Sequence, residues 1–133
     1  MLYLYTMKVI ITETQKKLIL ENEGNAFFIR KKIAKKQLTK KFGNLTPTTD
    51  DRYVDTIFYL DNEYKCIFEF NTSSGFIWID IDDFWKLLKD TFDFNNDQVE
   101  EVAQEWIEQN YDLDVNEVNY ERLGYPTLVE RMD

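Results

Sequence analysis

The chain has 133 residues, a formal net charge of −9 and no histidine. Its length suits one domain with one core, and an apolar content of 44% excludes a disordered chain. No apolar run approaches the roughly eighteen residues that a membrane span needs. The single cysteine permits no intrachain disulfide, so a reducing cytosol is the simplest setting. We therefore expect residues 1–133 to form a single cytoplasmic domain with no membrane partner.

The N-terminal third predicts a strand followed by two helices. The alternating start MLYLYTMKVII is typical of a strand, and Met7 is an alternative start to Met1. The capping box of Thr12 and Gln15 predicts a helix over residues 13–21. A second helix is predicted over residues 26–42, where apolar residues recur at near-helical spacing: Ile29, Ile33, Leu38 and Phe42. Gly43 and Asn44 end it, and residues 45–52 are expected to form a loop.

The middle of the chain changes to the two-residue period of β-strands. The runs VDTIFYL, YKCIFEF and GFIWIDI are separated by short polar turns, which predicts an antiparallel meander. In the third run, one face should point to the core: Ile77, Ile79 and Ile81. The other face should point outward: Phe76, Trp78, Asp80 and Asp82. The predicted fold class is α+β: a three- to four-stranded antiparallel meander with helices from both ends packed on it.

Two more helices are expected after the meander. Asp82 or Asp83 should cap the first, FWKLLKDTF. Asn96 or Asp97 should open the second, with a capping box between Asp97 and Glu100. Its apolar residues share one helical face: Val99, Val102, Ala103, Trp106, Ile107 and Tyr111. The last twenty residues show no clear period and are expected to form a loop with one short element, packed by Tyr120, Leu123, Tyr125 and Leu128.

Charge is distributed very unevenly along the chain. Residues 1–43 hold ten basic and three acidic residues, and residues 44–133 hold six basic and twenty-two acidic ones. The predicted acidic face comprises Glu100, Glu101, Glu105, Glu108 and Asp112. The predicted basic contact helix carries Arg30, Lys31, Lys32, Lys35, Lys36 and Lys40. Three interpretations remain open. The two helices neutralise each other, or the charged ends attract each other between copies or each attract a different partner, or both helices are solvated faces.

Most catalytic chemistries lack their residues in this sequence. Without histidine there is no Ser-His or Cys-His nucleophile pair, and the widely spaced glycines form no phosphate-binding loop. The single cysteine, Cys66, falls within an apolar strand and is expected in the core. We therefore predict no catalytic residues, no cofactor, no bound metal and no small-molecule substrate.

Carboxylate-based metal sites are the remaining catalytic hypothesis. Asp80, Asp82 and Asp83 follow a strand, as ligands of two-metal nucleases do, but outward placement and helix capping explain them better. The Glu63-Tyr64-Lys65 triplet starts in a turn rather than within a strand, which disfavours a restriction-type nuclease. Two partial calcium-loop patterns, starting at residues 93 and 112, lack the required glycine and glutamate.

Two further surfaces are candidate binding sites. The basic helix has the charge density of a phosphate-binding footprint, but the acidic remainder of the chain opposes nucleic acid. Phe76 and Trp78 form an aromatic patch if no helix covers the outer face of the sheet. A protein partner or self-association is thus the favoured mode, with nucleic acid a weaker candidate.

The N-terminal stretch starting at Met7, MKVIITETQKKLIL, resembles the N-termini of small uncharacterised proteins of marine bacteriophages, which begin MKxIITExQxxLI. The aromatic meander, FWKLL and EEVAQEWIEQNYDL are similar to sequences from the same source. The resemblance implies a phage genome, and hence a location in the host cytoplasm or the virion, but no activity. We expect a non-enzymatic interaction or assembly component. The alternative is an acidic DNA mimic or anti-defence inhibitor of a nucleic-acid-binding host protein.

Overall fold

The computed structural model describes residues 23–124, which form a five-stranded sheet with helices on one face. In chain order the elements are α1 (Glu23–Phe42), β1 (Thr46–Thr49), β2 (Thr56–Leu60), β3 (Cys66–Asn71), β4 (Phe76–Asp80), two π-helical turns (Ile81–Trp85 and Leu87–Thr91), α2 (Asn96–Tyr111) and β5 (Glu117–Glu121). The expected first strand, the helix over residues 13–21, and Tyr125 and Leu128 lie outside the described residues.

The strand order is β1-β2-β3-β4-β5, and the first four strands form the predicted antiparallel meander. The α+β class is therefore confirmed, with five strands instead of three or four. The two unpredicted strands are the two edges. β1 falls within the supposed loop over residues 45–52 and tolerates Pro47 because an edge strand need not donate every N–H. β5 pairs with β4 in parallel, after a crossover through the helices.

The inner face of the sheet packs against both long helices in one core. Ile77 and Ile79 are fully buried, as predicted. Five of the six residues in the predicted α2 stripe are buried, and the sixth, Tyr111, is partly buried and donates a hydrogen bond to the Phe42 carbonyl. On α1, Leu38 and Phe42 are buried, whereas Ile29 is 39% exposed.

Asp80 does not lie exposed on the outer face, as the two-residue period suggested, but is fully buried. The chain leaving β5 folds across this end of the sheet, where the Cys66 amide donates to the Gly124 carbonyl over 2.9 Å. Leu123 packs beside a small outer cluster of Phe58, Leu60 and Cys66. A tertiary crossing therefore covers a position that strand alternation alone leaves in solvent.

The helix caps differ from those predicted by one to three residues. Asp80 caps the first π-helical turn by accepting from the amides of Asp82 and Asp83, the two residues expected to cap it. Asn95 caps α2 and forms a capping box with Gln98, where Asp97 and Glu100 were expected. Each helix thus begins earlier than the sequence pattern suggested. Among the described residues, no helix has the length and apolarity to cross a membrane.

Trp106 is the central side chain between α2 and α1. It is 2% exposed, its ring lies edge-on to Phe84 at 5.8 Å, and its indole N–H donates to the Thr39 hydroxyl over 2.9 Å. We predict that Trp106→Ala lowers the free energy of unfolding by about 3–5 kcal/mol, because it leaves a large cavity. Trp106→Phe should cost clearly less, since most of the ring volume remains. Urea unfolding measures both changes, and an unchanged midpoint for Trp106→Ala would contradict this packing.

Candidate interaction surface of the two charged helices

The acidic helix α2 finds its countercharges on α1. The Lys31 ammonium lies 2.8 Å from the Glu101 carboxylate and 3.2 Å from that of Glu105. The Lys35 ammonium contacts Glu105 at 2.8 Å. Of the three interpretations of the charge pattern, mutual neutralisation therefore holds for this part of the two helices. It also explains why α2 carries no basic residue of its own.

The ion pairs change the acidity of the groups that form them. Partial burial favours a higher pKa for Glu105, but hydrogen bonds from Lys35 and Lys31 outweigh it and hold the pKa below its ordinary value. The hydrogen bond to Glu101 in turn raises the pKa of Lys31. Both shifts favour the charged forms, so the contact between the helices is strongest when the carboxylates are ionised.

Other members of the two predicted faces also have structural partners. Arg30 donates to the Phe92 carbonyl over 2.7 Å and lies over the Phe94 ring. Glu108 accepts from the Val115 amide over 3.0 Å and so holds the segment that leads into β5. Two residues of the predicted acidic face are not used by these contacts. Glu100 is partly exposed, and Asp112 is exposed and ends α2 in the left-handed conformation.

The exposed side of α1 keeps a row of cations outside these internal contacts. Lys32, Lys36 and Lys40 are exposed and recur every four residues, about 6 Å apart along the helix axis. Within residues 23–124 none of the three forms an ion pair. Phe28 begins the same row, is 52% exposed and has the Lys32 ammonium 5.1 Å from its ring centroid. We call these four residues the lysine stripe.

A shallow groove of about 330 Å³ adjoins the lysine stripe between α1 and α2. It is lined by Lys35, Lys36, Thr39, Trp106, Gln109 and Asn110. Several of its polar groups already have partners, since Lys35 donates to Gln109 and Asn110 donates to the Gly43 carbonyl. The groove therefore extends the interaction surface beside Lys36 rather than forming a separate enclosed site.

The predicted aromatic patch is smaller than an open apolar face. Phe76 and Trp78 lie on the outer face of β4 with ring centroids 6.1 Å apart, and both are partly buried. Glu69 is the cross-strand neighbour of Trp78. Burial, together with the nearby charge of Glu121, raises the pKa of Glu69. A carboxyl group thus adjoins the two rings.

One exposed feature overlaps the end of the loop predicted over residues 45–52, but its apolar tip was not predicted. The loop between β1 and β2, residues 50–55 and hereafter the β1–β2 loop, is held by Asp50, which accepts from the Arg52 amide and from its guanidinium. Tyr53 and Val54 project from it with exposures of 48% and 83%. Aspartate in a polar segment favours a turn because its side chain can accept from the amide two residues later, as Asp50 does from Arg52.

The carboxylates considered as metal ligands serve a structural contact instead. Asp80 accepts from the amides of Asp82, Asp83 and Leu123, and the Lys65 ammonium lies 3.6 Å away. Among the described residues no three acidic or cysteine side chains are grouped closely enough to hold a metal ion. Lys65 of the Glu63-Tyr64-Lys65 triplet also forms an ion pair with Asp83.

The buried cysteine is unsuited to nucleophilic chemistry. Burial raises the pKa of Cys66 to about 12, so its thiol stays protonated at neutral pH.

No protein-family model matches this chain, and neither a curated protein nor a solved structure matches it. The candidate surface therefore rests on its own geometry.

Glu105→Gln tests the contact between the helices. At neutral pH we expect the free energy of unfolding to fall by about 1 kcal/mol, because two partly exposed ion pairs are lost. The lowered pKa of Glu105 stabilises the fold above the ordinary glutamate value of 4.5. This stabilisation disappears as the pH falls through the lowered pKa, so wild type and variant should converge in acid. Urea unfolding across pH measures this, with Glu100→Gln as the control. Equal effects of the two variants at neutral pH would contradict the assignment.

Asp80→Asn tests the buried carboxylate. The amide keeps one acceptor oxygen and loses the charge, so we expect the free energy of unfolding to fall by about 3 kcal/mol. Asp82→Asn is the matched control: its ion pair with Arg122 is exposed, so this variant should unfold close to wild type. Thermal or urea unfolding compares the two variants. A fully stable Asp80→Asn protein would show that Asp80 does not hold this end of the sheet.

Proposed function

We propose that this chain is a non-enzymatic phage-type interaction or assembly component that binds an acidic protein surface through the lysine stripe. The observation that carries the proposal is the division of the basic helix: Lys31 and Lys35 are neutralised by α2, whereas Lys32, Lys36 and Lys40 remain exposed. A host-cytoplasmic or virion location follows from the resemblance to phage sequences and belongs to the same proposal.

The composition of the lysine stripe favours a protein over a nucleic acid as its partner. Phe28 adds an exposed aromatic ring to the cations, and aromatic residues are enriched at the centres of protein interfaces. The net charge of −9 repels a long polyanion approaching the rest of the molecule. A local acidic patch on a protein avoids most of that repulsion, because screening at physiological salt acts beyond about 8 Å.

The engaged carboxylates support the non-enzymatic part of the proposal. Asp80 is buried beneath the chain that leaves β5, and Asp83 is paired with Lys65. A metal ion at this position would have to displace both Lys65 and the amides that Asp80 accepts from. Metal-dependent nuclease turnover that is lost on changing Asp83 to Asn would overturn this part of the proposal.

Capture from bacterial host lysate tests the partner assignment. Immobilised wild-type protein should retain a partner that the double variant Lys32→Gln and Lys36→Gln loses at least tenfold, as judged by mass spectrometry. The matched control is Lys86→Gln with Lys89→Gln, which removes the same charge from the π-helical segment and should bind like wild type. Equal capture by the stripe and control variants would contradict a role of the stripe.

A second candidate function is the acidic DNA mimic, and one observation favours it. Asp112, Asp114 and Glu117 are exposed near one another in the chain and form no ion pair within residues 23–124. The same capture experiment separates the two functions. A mimic should lose its partner in the triple variant Asp112→Asn, Asp114→Asn and Glu117→Gln. Duplex DNA should compete with the wild-type mimic for that partner. Under our main proposal this variant keeps its partner.

A further inference from the structure

The β1–β2 loop presents an apolar tip in a fixed shape. Asp50, only 8% exposed, holds the Arg52 guanidinium in a two-oxygen contact. Arg52 lies 5.6 Å from the Tyr53 ring centroid, and that ring meets Phe58 edge-on at 6.0 Å. Val54, 83% exposed, is next to this supported ring. A tip that its own chain already holds loses little conformational entropy on binding, as suits a docking element.

The charges around this tip complement the lysine stripe. Asp51 and Asp55 flank the tip, are exposed and form no ion pair among the described residues. The stripe offers the matching arrangement, with the exposed ring of Phe28 followed by the ammonium groups of Lys32 and Lys36. One surface is thus an apolar tip between carboxylates, and the other is an aromatic ring beside cations.

The β1–β2 loop and the Lys40 end of the lysine stripe lie near opposite ends of β2. The β1–β2 loop adjoins the turn before β4, where the Thr72 amide donates to the Asp55 carbonyl. The C-terminal end of α1 adjoins the opposite turn, where Lys40 lines a small depression with Asp61. Because the loop and the stripe are different surfaces of one chain, a contact between the loop of one copy and the stripe of another joins copies head to tail.

We propose that the β1–β2 loop of one copy docks on the lysine stripe of a second copy of this chain. The proposal rests on the proposed function, because it names the partner of the same stripe. A loop tip on a helix face gives an interface at the low end of the size range, below about 1,200 Å², which makes the association weak. At about 0.15 M salt, repulsion between copies is screened beyond roughly 8 Å, whereas contacts at the interface persist.

Charge-swapped variants test this pairing by sedimentation velocity of the full chain. The stripe variant is Lys32→Glu with Lys36→Glu, and the loop variant is Asp51→Lys with Asp55→Lys. Wild type should sediment faster as its concentration rises, and each variant alone should remain monomeric. An equimolar mixture should regain association, because the reversed stripe attracts the reversed loop. The loop variant is less negative than wild type. If net-charge repulsion controlled association, this variant would therefore associate more strongly than wild type instead of remaining monomeric.

Matched controls place the same charge changes elsewhere. Lys86→Glu with Lys89→Glu, and Glu63→Lys with Asp90→Lys, should associate like wild type. A monomeric wild type at all concentrations, or a mixture that stays monomeric, overturns the self-docking proposal. Stripe-dependent capture of a different acidic protein from lysate would then leave the proposed function intact. A stripe variant that self-associates and captures proteins like wild type would instead overturn both the self-docking proposal and the proposed function.

Discussion

One buried carboxylate holds together the part of the sheet on which the rest of the architecture depends. Asp80, at the end of β4, accepts from two amides of the following π-helical turn and from the Leu123 amide after β5. Lys65, just before β3, supplies a nearby positive charge. A buried carboxylate is stable only when such partners satisfy it. Asp80 therefore caps the first π-helical turn, where the crossover begins. It also holds the chain that follows β5, the strand that the crossover places parallel to β4.

The crossover determines where the acidic helix lies. It delivers α2 to the inner face of the sheet beside α1, with Trp106 reaching Thr39 and Tyr111 reaching the end of α1. Because the two helices are adjacent, Glu101 and Glu105 meet Lys31 and Lys35. Each ion pair adds only a little free energy. Their larger consequence is that they decide which charges remain available on the surface.

This division of charge carries the functional argument. Arg30, Lys31 and Lys35 have partners within the described part of the chain, whereas Lys32, Lys36 and Lys40 project into solvent. A uniform basic helix in the sequence is thus a two-sided helix in the fold. The acidic face divides similarly, since Glu108 holds the approach to β5 while Asp112 stays exposed. Internal contacts thus use part of each predicted charged face, and only the residues without such contacts are available to a partner.

The sequence by itself determined what depends on local pattern. Alternation located the three central strands, helical spacing identified the buried side of α2, and the absence of histidine removed whole classes of catalysis. Only the tertiary structure decided the two edge strands. TPTT has no apolar residue that alternates with its threonines, and EVNYE has only two apolar residues in a polar segment, so both depend on their neighbours for pairing. It also decided the burial of Asp80, which bonds Leu123 43 positions away, and the pairing of Lys31 with Glu101 70 positions away. Chain crossings bring these residues together, and no local sequence period indicates such contacts.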